Sequence, residues 1–258
     1  MMVVEGGGGR RRKNTQTPDG RQTRTSDRFP QNPIGWQQMA ERGARSRGFH
    51  RWIDQISCCT NDSKNSGMNP IEMERPLFGG SLSCDIPSDW IDLSDVRQVP
   101  DHQECWQDRQ DRLFVVELLG LEASAPPDSV AEFYFNDLAA ANGSGQELSF
   151  TKQPSLFQIS GLPDSATLHF GVGYQTVAMG RDTDVWGNPR QQDVRHICIE
   201  LCVIRLPHVH TDVLVTLSTP SAANPHDDTD APHRHDTFRR MASTLQVRNW
   251  SLFSPSNT

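Results

Sequence analysis

The sequence predicts an α+β domain built on an antiparallel sheet and preceded by a disordered basic segment. Strand-like segments outnumber helical ones and follow one another in runs, which favours antiparallel pairing with helices packed against the sheet. Only 35% of the 258 residues are hydrophobic and the mean hydropathy is −0.61, so we do not expect the chain to be folded throughout. Residues 1–50 hold ten Lys or Arg and four Asp or Glu, a net charge of +6. Residues 73–258 hold 13 Lys or Arg and 25 Asp or Glu, a net charge of −12.

Residues 1–72 are predicted to be a disordered basic extension. Four glycines precede the basic run Arg10–Lys13, and polar residues follow. Apolar residues recur there with no period of 2 or 3.6, so no face of a helix or strand could be buried. We interpret the basic run as a solvated tail. A nuclear-localisation or nucleic-acid patch and an organelle transit peptide remain alternatives.

Residues 73–258 are predicted to form one globular domain, which opens with strands. Ser81–Ile86 alternates between apolar and polar residues and predicts a strand that ends at a proline. Ser88–Val96 predicts one or two short helical turns. Gln103–Gln107 and Leu113–Leu121 predict a β-hairpin, with its turn at Asp108–Arg112.

A helix is predicted over Asp128–Ala141. Pro127 suits the first helical position, and Asn142 with the following glycine suits the end. Apolar residues recur at helical spacing, which gives the helix one face to bury.

The rest of the domain is predicted to be mostly strands with one terminal helix. The three longest strands are rich in β-branched and aromatic residues, which suits a sheet. The predicted elements are strands over Glu147–Thr151, Thr167–Met179, Val194–Leu206 and Val213–Thr219, a polar loop over Pro220–Pro232, and an amphipathic helix over His235–Val247.

Several classes of protein are disfavoured by the composition. No run approaches the ~20 apolar residues of a membrane-spanning helix, and no apolar secretory core is present, so we expect neither a membrane segment nor export. The six cysteines form no C-x-x-C pair and are expected to be reduced thiols, with Cys198 and Cys202 on one face of a strand. Gly171 and Gly173 lie in a strand pattern and indicate a bulge or a close backbone approach rather than a nucleotide loop.

No catalytic set stands out, and no cofactor is predicted. The best enzyme clue is a group of histidines and aspartates between His208 and His235, in which His208 and His210 are spaced to share a strand face. Divalent metals favour such ligands, so a metal-dependent hydrolase is one alternative. A solvated polar loop is the interpretation we prefer, because a metal site needs oriented ligands.

The acidic domain favours a basic protein partner over nucleic acid. Eight acidic residues fall between Asp92 and Glu122. A surface with this charge repels nucleic acid and raises the association rate of a basic protein face. An ordinary charged surface would show the same composition.

Several motifs are specific enough to identify a family. Pro76-Leu-Phe-Gly-Gly is followed by Ile86-Pro and by Asp92-Leu-Ser-Asp-Val-Arg-Gln-Val-Pro-Asp-His-Gln-Glu. Val115-Val-Glu-Leu-Leu, Phe133-Tyr-Phe-Asn-Asp-Leu, Val203-Ile-Arg-Leu-Pro, Thr211-Asp-Val-Leu-Val-Thr and Leu252-Phe come next, in that order. From about Pro76 to Phe253 the chain resembles the Ran guanine nucleotide release factor family.

The resemblance implies an α/β/α sandwich around an antiparallel sheet, as in PsbP-like proteins. It implies a non-enzymatic, monomeric binder of the small GTPase Ran that promotes guanine nucleotide release, stabilises nucleotide-free Ran, supports nuclear protein import, and is found in nucleus and cytoplasm. Vertebrate members are also linked to trafficking of a voltage-gated sodium channel, so an adaptor for a membrane channel is an alternative. A PsbP-like protein of a plastid lumen is another.

The resemblance also implies a set of Ran-binding acids. They are Asp101 and Glu104 of the V-P-D-x-Q-E element, and Glu117 of the following strand. A second family acid in that strand falls on Gly120, and we expect Glu122 to replace it from the same side of the strand. Gln103 is expected to be structural.

Overall fold

A seven-stranded antiparallel sheet forms the centre of the domain. The computed structural model describes residues 72–143, 149–178, 194–222, 229 and 231–253. The strands of the large sheet lie in the order β3-β4-β5-β9-β8-β7-β6, and a second sheet has the order β1-β2-β10. Their bounds are β1 Glu72–Leu77, β2 Leu82–Pro87, β3 Ile91–Asp92, β4 Gln103–Gln107, β5 Leu113–Gly120, β6 Ser149–Gln153, β7 Thr167–Ala178, β8 Val194–Leu206, β9 Thr211–Pro220 and β10 Gln246–Val247.

One helix covers each face of the large sheet. Helix α1, Val130–Ala141, buries Val130, Tyr134, Phe135 and Leu138 against the odd-numbered residues of β8. On the other face, helix α2, Ala231–Ser243, and the small sheet enclose the even-numbered residues of β8 together with residues of β5 and β9. Strand side chains alternate between faces, so each central strand contributes to both cores. This layered α+β arrangement confirms the predicted fold class.

The predicted hairpin and the long strands are confirmed. Strands β4 and β5 pair antiparallel with Gln107 opposite Leu113, and β8 spans the predicted residues. Cys198 and Cys202 lie four residues apart on β8 and are both buried on the same face of the strand. No helix in the described ranges is long and apolar enough to cross a bilayer.

Several details differ from the sequence-based expectation. Helix α1 begins at Val130 after Ser129, so Pro127 does not occupy its first position, and Ile91–Asp92 of the predicted helical turns forms strand β3. Helix α2 begins at Ala231, inside the predicted loop, and ends at Ser243, because Gln246–Val247 pairs with β2 instead of continuing the helix. Strand β1 already includes Glu72, which the prediction assigned to the extension. The predicted disorder of residues 1–71 lies outside the described residues.

The two glycines of β7 are places of close approach, as predicted. A Cβ at Gly171 would lie 2.2 Å from the Phe150 ring. A Cβ at Gly173 would lie 2.4 Å from the Phe135 ring and 2.6 Å from the backbone oxygen of Ser149. The missing side chains therefore let two aromatic rings rest on the strand.

Candidate functional site

Glu117 is a buried carboxylate in an otherwise apolar strand. It lies on the α1 face of β5, between Val115 and Leu119, and only 5% of its surface is exposed. Its Oε1 accepts a hydrogen bond from Nε2 of Gln103 at 2.7 Å and lies 3.4 Å from Nε2 of His102. Burying a carboxylate is costly unless polar groups surround it, so this arrangement is unusual for a purely structural position.

The polar neighbours of Glu117 are not fully satisfied. Within the described residues, Oε1 of Gln103 and Nδ1 of His102 are buried and have no hydrogen-bond partner. Gln103 is 3% exposed and pairs with Glu117 across the β4–β5 ladder. Buried polar atoms nearly always find partners, so these two atoms beside Glu117 are exceptions.

Glu122 lies beyond β5, because the strand ends at Gly120. The expectation that strand alternation would bring Glu122 to the side of Gly120 is therefore wrong. The main chain of Glu122 is instead fixed from both sides. Its N–H donates to Oδ2 of Asp212 at 3.1 Å, and its carbonyl accepts from Arg205 at 2.8 Å. Its carboxylate accepts from the Ser124 amide at 2.8 Å, and hydrogen bonds to Ser124 lower the pKa of Glu122.

Asp101 and Glu104 have different environments. Asp101 is exposed in the turn before β4. Glu104 faces the α2 side of the sheet, opposite to Glu117, and its Oε1 accepts the backbone N–H of Phe78 at 2.8 Å. Phe78 has φ 49° and is followed by Gly79 at 66° and Gly80 at 88°, so Glu104 supports a strained turn.

Asp137 is an acidic residue of the motif that begins at Phe133, and it was assigned no role from the sequence. It is exposed on α1, and desolvation, followed by the charges of Glu117 and Glu122, raises its pKa. Three carboxylates from β5, the loop after it and α1 are therefore within electrostatic range of one another. We call Glu117, Glu122 and Asp137, with Asp101 at the adjacent turn, the acidic group.

The histidines of the alternative metal site are dispersed. His208 and His210 lie in a turn between β8 and β9 rather than on a strand face, so that expectation is wrong. The His208 ring packs 5.1 Å from Trp250, and Nδ1 of His235 lies 3.4 Å from Glu200. In the part of the chain that the structure describes, no three His, Cys, Asp or Glu residues are grouped as metal ligands. Residues 223–228 and 230 of that predicted group lie outside it.

Comparison with known proteins gives one consistent result. The family model described as Ran-interacting Mog1 protein matches residues 75–220. The chain is 30% identical over 192 residues to a Ran guanine nucleotide release factor of Danio rerio, with 70% of this chain and 100% of that protein covered. It is 30% identical over 194 residues to the nuclear import protein mog1 of Schizosaccharomyces pombe, covering 69% and 98%.

The solved structures agree on the fold. The Ran-binding protein Mog1p of Saccharomyces cerevisiae superimposes with a TM-score of 0.52 at 21% identity, covering 72% of this chain and 100% of that one. An alanine mutant of protein Mog1 gives the same TM-score at 22% identity. The family match spans strands β1 to β9, all of the acidic group included. This chain belongs to the Mog1 family.

Proposed function

We propose that this chain binds the small GTPase Ran, promotes release of its guanine nucleotide and stabilises nucleotide-free Ran. It thereby supports protein transport between nucleus and cytoplasm, the two compartments where we expect it. The observation that supports this most is its membership of a family described as Ran-interacting, with relatives named as release factors and nuclear import proteins along their whole length.

The acidic group is the proposed contact surface. Asp101 is exposed and would steer a basic face of Ran during association. Glu117 is buried beside unsatisfied polar atoms of Gln103 and His102, so it would contribute after water has been expelled. Glu122 lies on a loop whose main chain is fixed, and Glu104 belongs to the proposed site through the turn that it supports.

The proposed mechanism needs no catalytic acid, base, metal or cofactor. If binding of this chain weakens the affinity of Ran for nucleotide, nucleotide must weaken the affinity of Ran for this chain by the same factor. The chain is thus a binding protein that shifts an equilibrium rather than an enzyme that changes covalent bonds. We propose that it acts as a monomer, through the domain of residues 73–258.

The experiment is release of a fluorescent guanine nucleotide from Ran, with and without the full chain. We expect faster release with the wild-type chain. Asp101→Asn should slow association and reduce its salt dependence, since exposed charges act mainly on the rate. Glu117→Gln should weaken the complex by about 2–5 kcal/mol, which is typical for a buried interfacial charge.

The matched control is Asp164→Asn, which removes an exposed aspartate from the loop between β6 and β7. It should leave both rates unchanged. Neither complex nor release with the wild-type chain would overturn the proposal. A stable complex without release would overturn the release-factor activity and favour the adaptor for a membrane channel.

A further inference from the structure

A buried network of Tyr134, Arg205 and Asp212 joins α1 to the loop that follows β5. Asp212 is 0% exposed. Its Oδ2 accepts hydrogen bonds from the Tyr134 hydroxyl at 2.7 Å and Arg205 Nη2 at 2.9 Å, and its Oδ1 accepts from Arg205 Nε at 3.0 Å. The N–H of Glu122 donates to the same Oδ2, so this one carboxylate accepts hydrogen bonds from three separate segments of the chain.

Sheet register brings these groups together. Asp212 is the second residue of β9 and lies opposite Arg205 of β8 on one side and Leu119 of β5 on the other. Its side chain points to the α1 face, where Tyr134 reaches it from the first half of the helix. Arg205 Nη2 also donates to the carbonyl of Glu122, so the network holds both backbone polar groups of that residue.

The stability of the sheet does not require a buried network of this kind. Replacing a buried ion pair with apolar side chains is often neutral or stabilising, so its presence is weak evidence for a stability role. It contacts the loop after β5 at Glu122, a member of the acidic group. The hydroxyl of Tyr134 ties the helix that bears Asp137 to the same carboxylate.

We propose that Tyr134, Arg205 and Asp212 are positioning residues that hold Glu122 in its binding geometry before the partner arrives. This inference rests on the proposed function, because it assigns to the network the pre-organisation of the Ran-binding loop. A loop that is already ordered loses less conformational freedom on binding, which strengthens the complex without any direct contact.

The test is a double-mutant cycle between Tyr134→Phe and Glu122→Ala in the full chain, read out as the Kd for nucleotide-free Ran. Tyr134→Phe removes one hydroxyl and leaves the other donors to Asp212 in place. We expect it to raise the Kd about fivefold, the effect of one hydrogen bond. In the Glu122→Ala background the same change should alter the Kd less than about twofold.

The matched control is Tyr174→Phe, which removes the hydroxyl of the second tyrosine of the chain. Tyr174 lies on β7, opposite Cys198, on the other face of the sheet. It should leave the Kd unchanged. Arg205→Lys is a second variant, because lysine keeps the charge but cannot bind both oxygens of Asp212 and the Glu122 carbonyl together.

Two readouts separate positioning from folding. Amide exchange of Glu122 should accelerate in Tyr134→Phe and not in Tyr174→Phe, and this measurement does not depend on Ran. An unchanged Kd, or equal effects in both Glu122 backgrounds, would overturn the positioning role while the proposed function stands. A wild-type chain that fails to bind Ran overturns both.

Discussion

At the scale of single residues, two variants of Glu104 separate the effect of its negative charge from the effect of its hydrogen bond to the Phe78 turn. Its carboxylate faces away from Glu117 and accepts the N–H of Phe78, whose backbone is left-handed. Glu104→Ala should lower the free energy of unfolding by about 1.5–3 kcal/mol, the range for hydrogen bonds to charged groups. Glu104→Gln keeps an acceptor oxygen and should cost less than half of that. Denaturant unfolding gives both values.

The same pair of variants shows how Glu104 acts on Ran. If the carboxylate acts only through the Phe78–Gly80 turn, Ran affinity falls in the alanine variant and is retained in the glutamine variant. Equal losses in both variants would contradict an indirect role and make Glu104 a contact residue.

Asp137 is expected to oppose folding and to favour binding. Its pKa is raised, so the folded chain binds its proton more tightly than the unfolded chain does. Stability therefore falls as the pH rises from the ordinary aspartate pKa through the raised one. At pH 7 Asp137→Asn should stabilise the domain by a few tenths of a kcal/mol, since the side chain is exposed.

This gain should shrink as the pH falls through the ordinary aspartate pKa of about 3.9, where the wild-type carboxyl becomes protonated in both states. Urea unfolding at pH 7 and at pH 3.5 measures the difference, with Asp164→Asn as the control. Ran affinity should fall in the same variant. A variant that is less stable than wild type at pH 7 would contradict the assignment.

Residue identity predicted only part of the site. Glu117 and Asp101 were identified as parts of family motifs. Tyr134, Arg205 and Asp212 each lie in a family motif, but the contacts among them were not predicted, because 78 residues separate the tyrosine from the aspartate that it contacts. Such a contact depends on strand order, which local patterns do not determine. Asp137 lies in the motif that begins at Phe133, but it was given no role, because an exposed acid on a helix does not by itself indicate a binding site.

At the scale of elements, the contact between α1 and β7 depends on an absent side chain. Gly173→Ala would place a Cβ against the fully buried Phe135 ring and the backbone of β6, so neither neighbour can easily move. We expect a loss of about 1–3 kcal/mol of unfolding free energy, the usual cost of overpacking.

Gly171→Ala is the matched comparison for this change. The three atoms nearest to its Cβ all belong to the ring of Phe150, which is partly exposed and can rotate away. The loss should be clearly smaller than for Gly173→Ala when both are measured by denaturant unfolding. An equal or larger loss would show that the packing of α1 does not limit this strand.

Element prediction succeeded where the pattern was long and failed at short segments. Strand β8 was predicted to the residue because thirteen residues rich in β-branched types admit few alternatives. The two-residue strands β3 and β10 are fixed by their neighbours β4 and β2 rather than by their own sequence. The length of α2 was overestimated, because apolar spacing alone predicts a helix to Val247, whereas pairing with β2 makes Gln246–Val247 a strand.

At the scale of the whole molecule, the basic segment of residues 1–71 and the acidic domain that follows it carry opposite net charges. A fragment without the basic segment tests whether the domain is independent of it. We propose that residues 72–258, with Glu72 kept because it belongs to β1, fold and bind Ran alone. The fragment should have the same Tm as the full chain and the same Ran affinity at physiological salt, where surface charges are screened beyond ~8 Å. Calorimetry and titration with Ran test this, and a marked loss of affinity would make residues 1–71 part of the binding site.

The order of strands in the large sheet also governs how the domain is made. Strand β5 pairs with β4, which precedes it, and with β9, whose first residue is Thr211. A ribosome adding ~5–20 residues per second needs several seconds to add the intervening chain of about 90 residues. During that interval the backbone N–H and C=O groups along the β9-facing edge of β5 are unpaired and open to other nascent chains. Synthesis of this protein should therefore depend on chaperones that protect such an edge until β9 emerges.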